Sequence, residues 1–292
     1  MTALRVRVLA LAASVLALVL PSAHAQAPAE EGPPRTAFKV CADPNSLPFS
    51  NSKGQGLENR IADLFAKDLG LPVKYDWYPN RMNFIRNTLR YKLPTEDYPC
   101  DIVMGVPAEF DQVSTTQAYY RSTYVLLFPK GKALDGVHSS DDLLAMPKDK
   151  LKALRIGVYD RSPGSLWLAR HQMVDLGVPY KMMNADPDQI PGEDIAHDLL
   201  AGKLDAAILW GPIGGYFARP GQAGALVVAP MISEPNLPME FSMAMGVRYG
   251  EPHWKQQVEG LLERHAGDIK AILADYGVPL VAMPAGNSAK KQ

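Results

Sequence analysis

Phe38-Lys39-Val40-Cys41-Ala42, followed by the segments 57–69, 73–77, 82–93 and 101–106, decides the fold, because short β-type runs alternate there with helical patterns. The order βαβαβ predicts a parallel sheet, since parallel neighbours need a crossover and the helices supply it. Within 57–69, Leu57, Ile61, Leu64, Phe65 and Leu69 recur at spacings of three and four and form one buried face. Gly70 ends that helix and Pro72 prevents its continuation. Glu58, Arg60, Asp63, Lys67 and Asp68 fall on the other face and read as solvated.

The same pattern is used a second time, with strands at 154–159, 180–183 and 206–209 and helices near 165–176 and 194–201. Between the two blocks lies a β-rich aromatic segment, 119–130, and after the second block another apolar run of strand length, 241–247. These two read as strands crossing between lobes. The tail 254–276 is helical and stops at Gly277-Val278-Pro279, so it packs back onto the first lobe. The expected class is therefore α/β, with two α/β lobes joined by two crossing strands. The expected division is 36–124 plus 239–292 for lobe 1 and 125–238 for lobe 2.

Composition fits a folded exported protein. A chain of 292 residues with 47 % hydrophobic and 21 % charged residues buries a full core. With 30 basic and 31 acidic side chains the formal charge is −1, so no global field draws it to nucleic acid or anionic lipid. Arg5 and Arg7, the apolar run 8–20, Pro21 and Ala23-His24-Ala25 form a Sec signal peptide pattern, residues 1–25, with cleavage after Ala25. The run is shorter than the ~18 residues a membrane-spanning helix needs. A flexible leader, 26–35, follows, and the mature chain is expected in the periplasm without membrane insertion. In that oxidising compartment the two cysteines, Cys41 and Cys100, favour one disulfide, with two buried free thiols as the alternative. Cys41 is late in its strand and Cys100 early in the next, which leaves their Cα separation open.

In open α/β sheets ligands sit beyond the carboxyl ends of strands, where helix N-termini and loops supply donors. The rule selects Asp43, Asn45 and Phe49 after the first strand, Arg81 and Arg86 after the second, and Glu109 after the third. In the second lobe it selects Asp160, Ser162 and Trp210. Four of them have a plain alternative: Phe49 can be a loop plug, Arg81 and Arg86 a solvated face, and Trp210 core filler rather than cleft wall. Tyr120 and Arg121 open the crossing strand, where hinge packing explains them as well as recognition does. No catalytic set is visible. The six histidines include no pair at metal-ligand spacing, and no Gly-x-Ser-x-Gly elbow occurs. Around Asp186-Pro187-Asp188, Ile190 stands where a third oxygen ligand belongs, so no metal is expected.

The strings Phe38-Lys39-Val40-Cys41-Ala42-Asp43-Pro44-Asn45, Gly56-Leu57-Glu58-Asn59-Arg60-Ile61, Cys100-Asp101-Ile102-Val103-Met104-Gly105-Val106-Pro107, Leu209-Trp210-Gly211-Pro212-Ile213-Gly214-Gly215-Tyr216-Phe217 and Tyr276-Gly277-Val278-Pro279-Leu280 resemble the quinoprotein (methanol) dehydrogenase-associated solute-binding-like proteins, the MxaJ/XoxJ family. With further strings at 84–89, 119–125 and 243–248, the resemblance spans nearly the whole mature chain. It implies a type II periplasmic binding protein fold and a non-enzymatic role in the maturation or activity of a PQQ-dependent methanol or alcohol dehydrogenase. The implied partners are that dehydrogenase or its precursor and a c-type cytochrome of the same system, with no cofactor on this chain. An importer's solute receptor is the alternative, and a periplasmic hydrolase or lyase a weaker one. Amino-acid receptors of this fold carry an Arg in a Thr-x-x-Arg loop after the third strand, where this chain has Phe110-Asp111-Gln112-Val113-Ser114-Thr115-Thr116. They carry an Asp shortly after Gly-x-x-Asp-Ala, where this chain continues from Gly202-Lys203-Leu204-Asp205-Ala206 to Trp210-Gly211. A free amino acid loses two charge-assisted anchors, each worth about 1.5–3 kcal/mol.

Overall fold

A computed structural model describes residues 34–80, 83–92, 94–182, 188, 190–219 and 225–284. The signal-peptide pattern, Arg81 and the stretch around Asp186 lie outside them. In chain order the elements are β1 (Phe38–Ala42), β2 (Asn45–Ser46), β3 (Ser50–Asn51), α1 (Leu57–Leu69), β4 (Val73–Trp77), α2 (Phe84–Asn87), β5 (Ile102–Pro107), β6 (Ser114–Thr115) and β7 (Tyr120–Pro129). There follow α3 (Ser140–Leu144), α4 (Lys148–Lys152), β8 (Ile156–Tyr159), α5 (Pro163–Arg170), β9 (Gly177–Tyr180), α6 (Glu193–Leu200), β10 (Ala206–Trp210) and α7 (Gly211–Ala218). The chain closes with β11 (Leu226–Pro230), β12 (Glu240–Val247), α8 (Pro252–Arg264) and α9 (Ala266–Asp275).

Two main sheets meet in one strand, and β2 with β3 forms a separate two-stranded ribbon. The first runs β4-β1-β5-β12-β7, with β4, β1 and β5 parallel as the βαβαβ pattern predicts. The second runs β9-β8-β10-β7, with β11 on the far side of β7. Residues 120–123 of β7 pair with β12 and residues 124–129 with β10 and β11, so β7 belongs to both lobes and the hydrogen-bonded path is unbroken. The reading of 241–247 as a second crossing strand needs correction: β12 is a full member of the first sheet, and the return crossing is the segment 231–239 before it. That segment is stitched to β7 by Tyr124 N–H to Met239 O (2.8 Å), Met231 N–H to Tyr124 O (2.9 Å) and Thr123 Oγ1 to Met231 O (3.0 Å).

The first sheet packs α1, α8 and α9 over Phe38, Phe65 and Trp254, each at most 1 % exposed. At ~1.5–3 kcal/mol per buried large side chain, this cluster is a leading stabiliser of lobe 1. The helix expected over 254–276 breaks at His265, whose ring is held by Asp68 (2.6 Å) and Asp268 (3.1 Å). The helix expected over 82–93 shrinks to α2: Thr88 closes it with both N–H and Oγ1 donating to Phe84 O, and Arg90 N–H then turns to Ile85 O, five residues back.

After α9 the chain lies along the hinge. Val281 N–H donates to Arg121 O (3.0 Å) and Ser122 Oγ to Pro279 O (2.7 Å). Helix α7 meets this tail through glycine, and a Cβ at Gly215 would overlap the carbonyl of Gly277. Gly215→Ala is therefore expected to cost on the order of 1–3 kcal/mol, the usual range for overpacking, read as a fall in the urea midpoint at unchanged slope.

Candidate functional site

The carboxyl end of β1 opens onto a loop that is fixed from both sides. Asp43 Oδ1 accepts Asn45 N–H (2.8 Å), Asp43 Oδ2 accepts Asn80 N–H (2.5 Å), and Ser50 Oγ donates to Asp43 O (2.8 Å). The loop rests on the start of α1, where Asn59 Oδ1 accepts both Asn51 N–H (3.0 Å) and Gly56 N–H (2.9 Å). Only glycine fits at 56, because a Cβ would enter the Phe49 carbonyl. Phe49 is thereby held half-buried between the lobe-1 core and a lobe-2 cluster.

Opposite it stands Trp210, the last residue of β10 in the second lobe. Its ring packs against Tyr124 (5.4 Å) and Phe241 (5.9 Å), which makes an aromatic wall across the hinge. Between wall and loop lies a cavity of about 210 Å³, whose lining includes Asp43, Phe49, Glu58, Asn80, Trp210 and Met243. The Cys41–Cys100 disulfide is formed, with Cα atoms 5.2 Å apart, and Cys41 backs the cavity wall.

Glu58 corrects the sequence reading. The helical spacing predicts it on the solvated face of α1, yet it stands on the first turn and lines the cavity, half-buried. Its Oε1 occupies the space a Cβ would take at Gly105, where β5 adopts a left-handed φ of +65°. Burial first, and the nearby Asp43 carboxylate second, push the Glu58 pKa up to about 8. The folded protein thus holds this proton more tightly than the unfolded chain does. The stability linked to it is full below the ordinary glutamate pKa near 4.5 and is lost as pH rises through about 8. The signal was in the sequence: Glu58 follows a helix N-terminus at the carboxyl end of the sheet, the place the site rule names.

The remaining candidates separate. Asp43, Phe49 and Trp210 come together at the cavity, and Asn45 sits in the same loop. Tyr120, 4 % exposed, is core, with its ring against Tyr119. Ser162, 1 % exposed, caps α5 by accepting Ser165 N–H and donates to Tyr159 O (2.7 Å), so it is committed to the helix start and not to a partner. Arg121 pairs with Glu240 (2.8 Å) on the hinge strand and donates to Ala282 O (3.2 Å). Arg86, Glu109 and Asp160 are exposed and do not line the cavity. Among the described residues no cluster of three or more His, Cys, Asp or Glu is placed to hold a metal ion.

Comparison with known proteins bears on the whole of this architecture. No protein-family model matches the chain. The solved periplasmic binding protein XoxJ from Methylobacterium extorquens AM1 is 33 % identical, with a TM-score of 0.67 over 85 % of this chain and 100 % of its own. The chain belongs to the MxaJ/XoxJ family. Protein MoxJ of Methylorubrum extorquens AM1 is 28 % identical over 94 % of both chains. MxaJ from Methlophaga aminisulfidivorans MPT, 22 % identical, has the same fold, with a TM-score of 0.69 over 84 % of this chain and all of its own. The type II periplasmic binding fold expected of the family is the fold found, and the two lobes that define it bring Trp210 over the loop of Asp43.

Proposed function

We propose that this chain is a non-enzymatic periplasmic accessory protein that binds a PQQ-dependent methanol or alcohol dehydrogenase, or its precursor, through the interlobe cleft and assists its maturation or activity. Family membership supports the association with methanol oxidation. The observation that carries the site is Trp210, backed by Tyr124 and Phe241, lining the same cavity as Phe49. A volume near 210 Å³ lies below the ~300–1,000 Å³ that enclose drug-sized ligands, a size that suits a single side chain or a short segment. Lobe 1, residues 36–124 with 239–292, closes on lobe 2, residues 125–238, about β7 and the return segment.

Anchoring aromatic residues at protein interfaces typically lose more than ~2 kcal/mol on truncation. Trp210→Ala is therefore expected to weaken capture of the dehydrogenase about 30-fold, measured by pull-down from periplasmic extract and by titration of the purified pair. Capture that ignores this change removes Trp210 from the site, and no capture by the wild-type chain removes the function.

A further inference from the structure

We propose that the cavity floor receives one positively charged side chain, a guanidinium or ammonium, with Glu58 and Asp43 as its charge partners and the Trp210 ring as its cation–π face. This rests on the reading that a segment of a partner enters the cleft, and it names the chemistry by which that segment is read.

Three observations carry it. The Glu58 carboxyl lines the cavity and has no hydrogen-bond or ion-pair partner among the described residues, although Asp43 is close enough to act on it. The strand beneath it adopts a left-handed glycine, Gly105, in the space its carboxyl requires, so the carboxyl is built into the fold rather than left there by a flexible stem. No lysine or arginine is among the described lining residues, while an indole is.

An anion would meet Asp43 and is disfavoured. A neutral occupant leaves the Asp43 carboxylate without a counter-charge and Glu58 protonated, whereas a cation pairs with Asp43, favours ionised Glu58 and stacks on the indole. The other titratable groups acting with or on Glu58 are Tyr75 of β4, Tyr119 beside β7 and Tyr120 of β7. All three are phenols whose pKa burial raises above its ordinary value of 10, so none supplies a positive charge.

A linkage follows. At pH 7 Glu58 is largely protonated, and an arriving cation makes it ionise, so binding releases a proton. Affinity then rises with pH, approaching about tenfold per unit below the Glu58 pKa, and levels above it.

The test is isothermal titration of the full chain at pH 6, 7, 8 and 9 with N-acetyl-arginine amide, N-acetyl-lysine amide and the neutral isostere N-acetyl-citrulline amide. The expected result is binding of the two cations with the stated pH slope, weak pH-independent binding of the citrulline probe, and loss of both slope and charge preference in Glu58→Gln. Thermal unfolding of that variant, expected to match wild type at pH 5 and to exceed it at pH 9, reports that it is folded. Asp43→Asn provides a second variant with reduced affinity. Citrulline binding equal to arginine binding, or a slope retained in Glu58→Gln, overturns the proposal. Dehydrogenase capture separates the two readings: capture unchanged in Glu58→Gln overturns the charge site alone, and cation-selective binding without any capture by wild type overturns the accessory role alone.

Discussion

Asp101→Ala is expected to lower the unfolding free energy by about 3–5 kcal/mol, the range for breaking a buried ion pair from one side. Asp101 and Arg248 are 5 % and 8 % exposed and face each other behind the amino end of β5. The Arg248 guanidinium also donates to the carbonyls of Leu89 and Cys100 and to Glu251 Oε1 (2.7 Å), and it lies 3.9 Å over the Tyr98 ring. Arg35 extends the network to Glu251 (2.9 Å) and covers Trp254 at 4.1 Å. Removing Asp101 leaves Arg248 Nη2 without its acceptor in a site with little water, and leaves Arg248 and Arg35 to share the single carboxylate of Glu251. The double change Asp101→Leu with Arg248→Met is expected to recover part of the loss, because it takes out both desolvated charges. The exposed pair Arg60–Asp275, with side chains 45 % and 59 % accessible, is the contrast, and Arg60→Ala is expected to change stability by less than ~1 kcal/mol. Urea titrations of the three variants measure all of this, and equal midpoints for Asp101→Ala and Arg60→Ala would sink the ranking.

The second large effect comes from the disulfide. Cys41 and Cys100 are separated by 59 residues, and in the chain-entropy account closing a loop of that length restricts the unfolded state by about 4 kcal/mol. The double variant Cys41→Ala with Cys100→Ala is expected to lose on that order, with a matching fall in Tm. Both sulfurs are buried, 2 % and 0 % exposed, so wild-type protein is expected to resist reductant until it is partly unfolded. Thiol labelling after reduction, with and without denaturant, reads this directly, and rapid labelling under native conditions contradicts it. Because Cys41 backs the cavity, loss of the bridge is also expected to weaken partner capture more than the stability change alone accounts for.

How much was legible depends on the range of the forces involved. Helix α1 is found over 57–69 as its apolar spacing predicts, because the stripe, the Gly70 stop and Pro72 all act within a few residues. The strands predicted for both lobes are found within a few residues of their places for the same reason. Helices α3, α4 and α7 and strands β2, β3, β6 and β11 fall outside the predicted segments. A segment reading Gly211-Pro212-Ile213-Gly214-Gly215 has low helix propensity, and it is helical here because those glycines let it approach Gly277 and Val125 closely. Such a contact has no trace in local pattern.

The amino-acid sequence by itself determined the two βαβ blocks, the export pattern, the cysteine pair and the loops at the carboxyl ends of the strands, because periodicity, caps and composition express forces that are local. Only the tertiary structure decided that β7 serves both sheets, that Tyr120 is core, and that Glu58 lines the cavity rather than facing solvent. Those outcomes depend on what lies across from each residue, and burial and charge proximity are properties of neighbours brought together from distant parts of the chain.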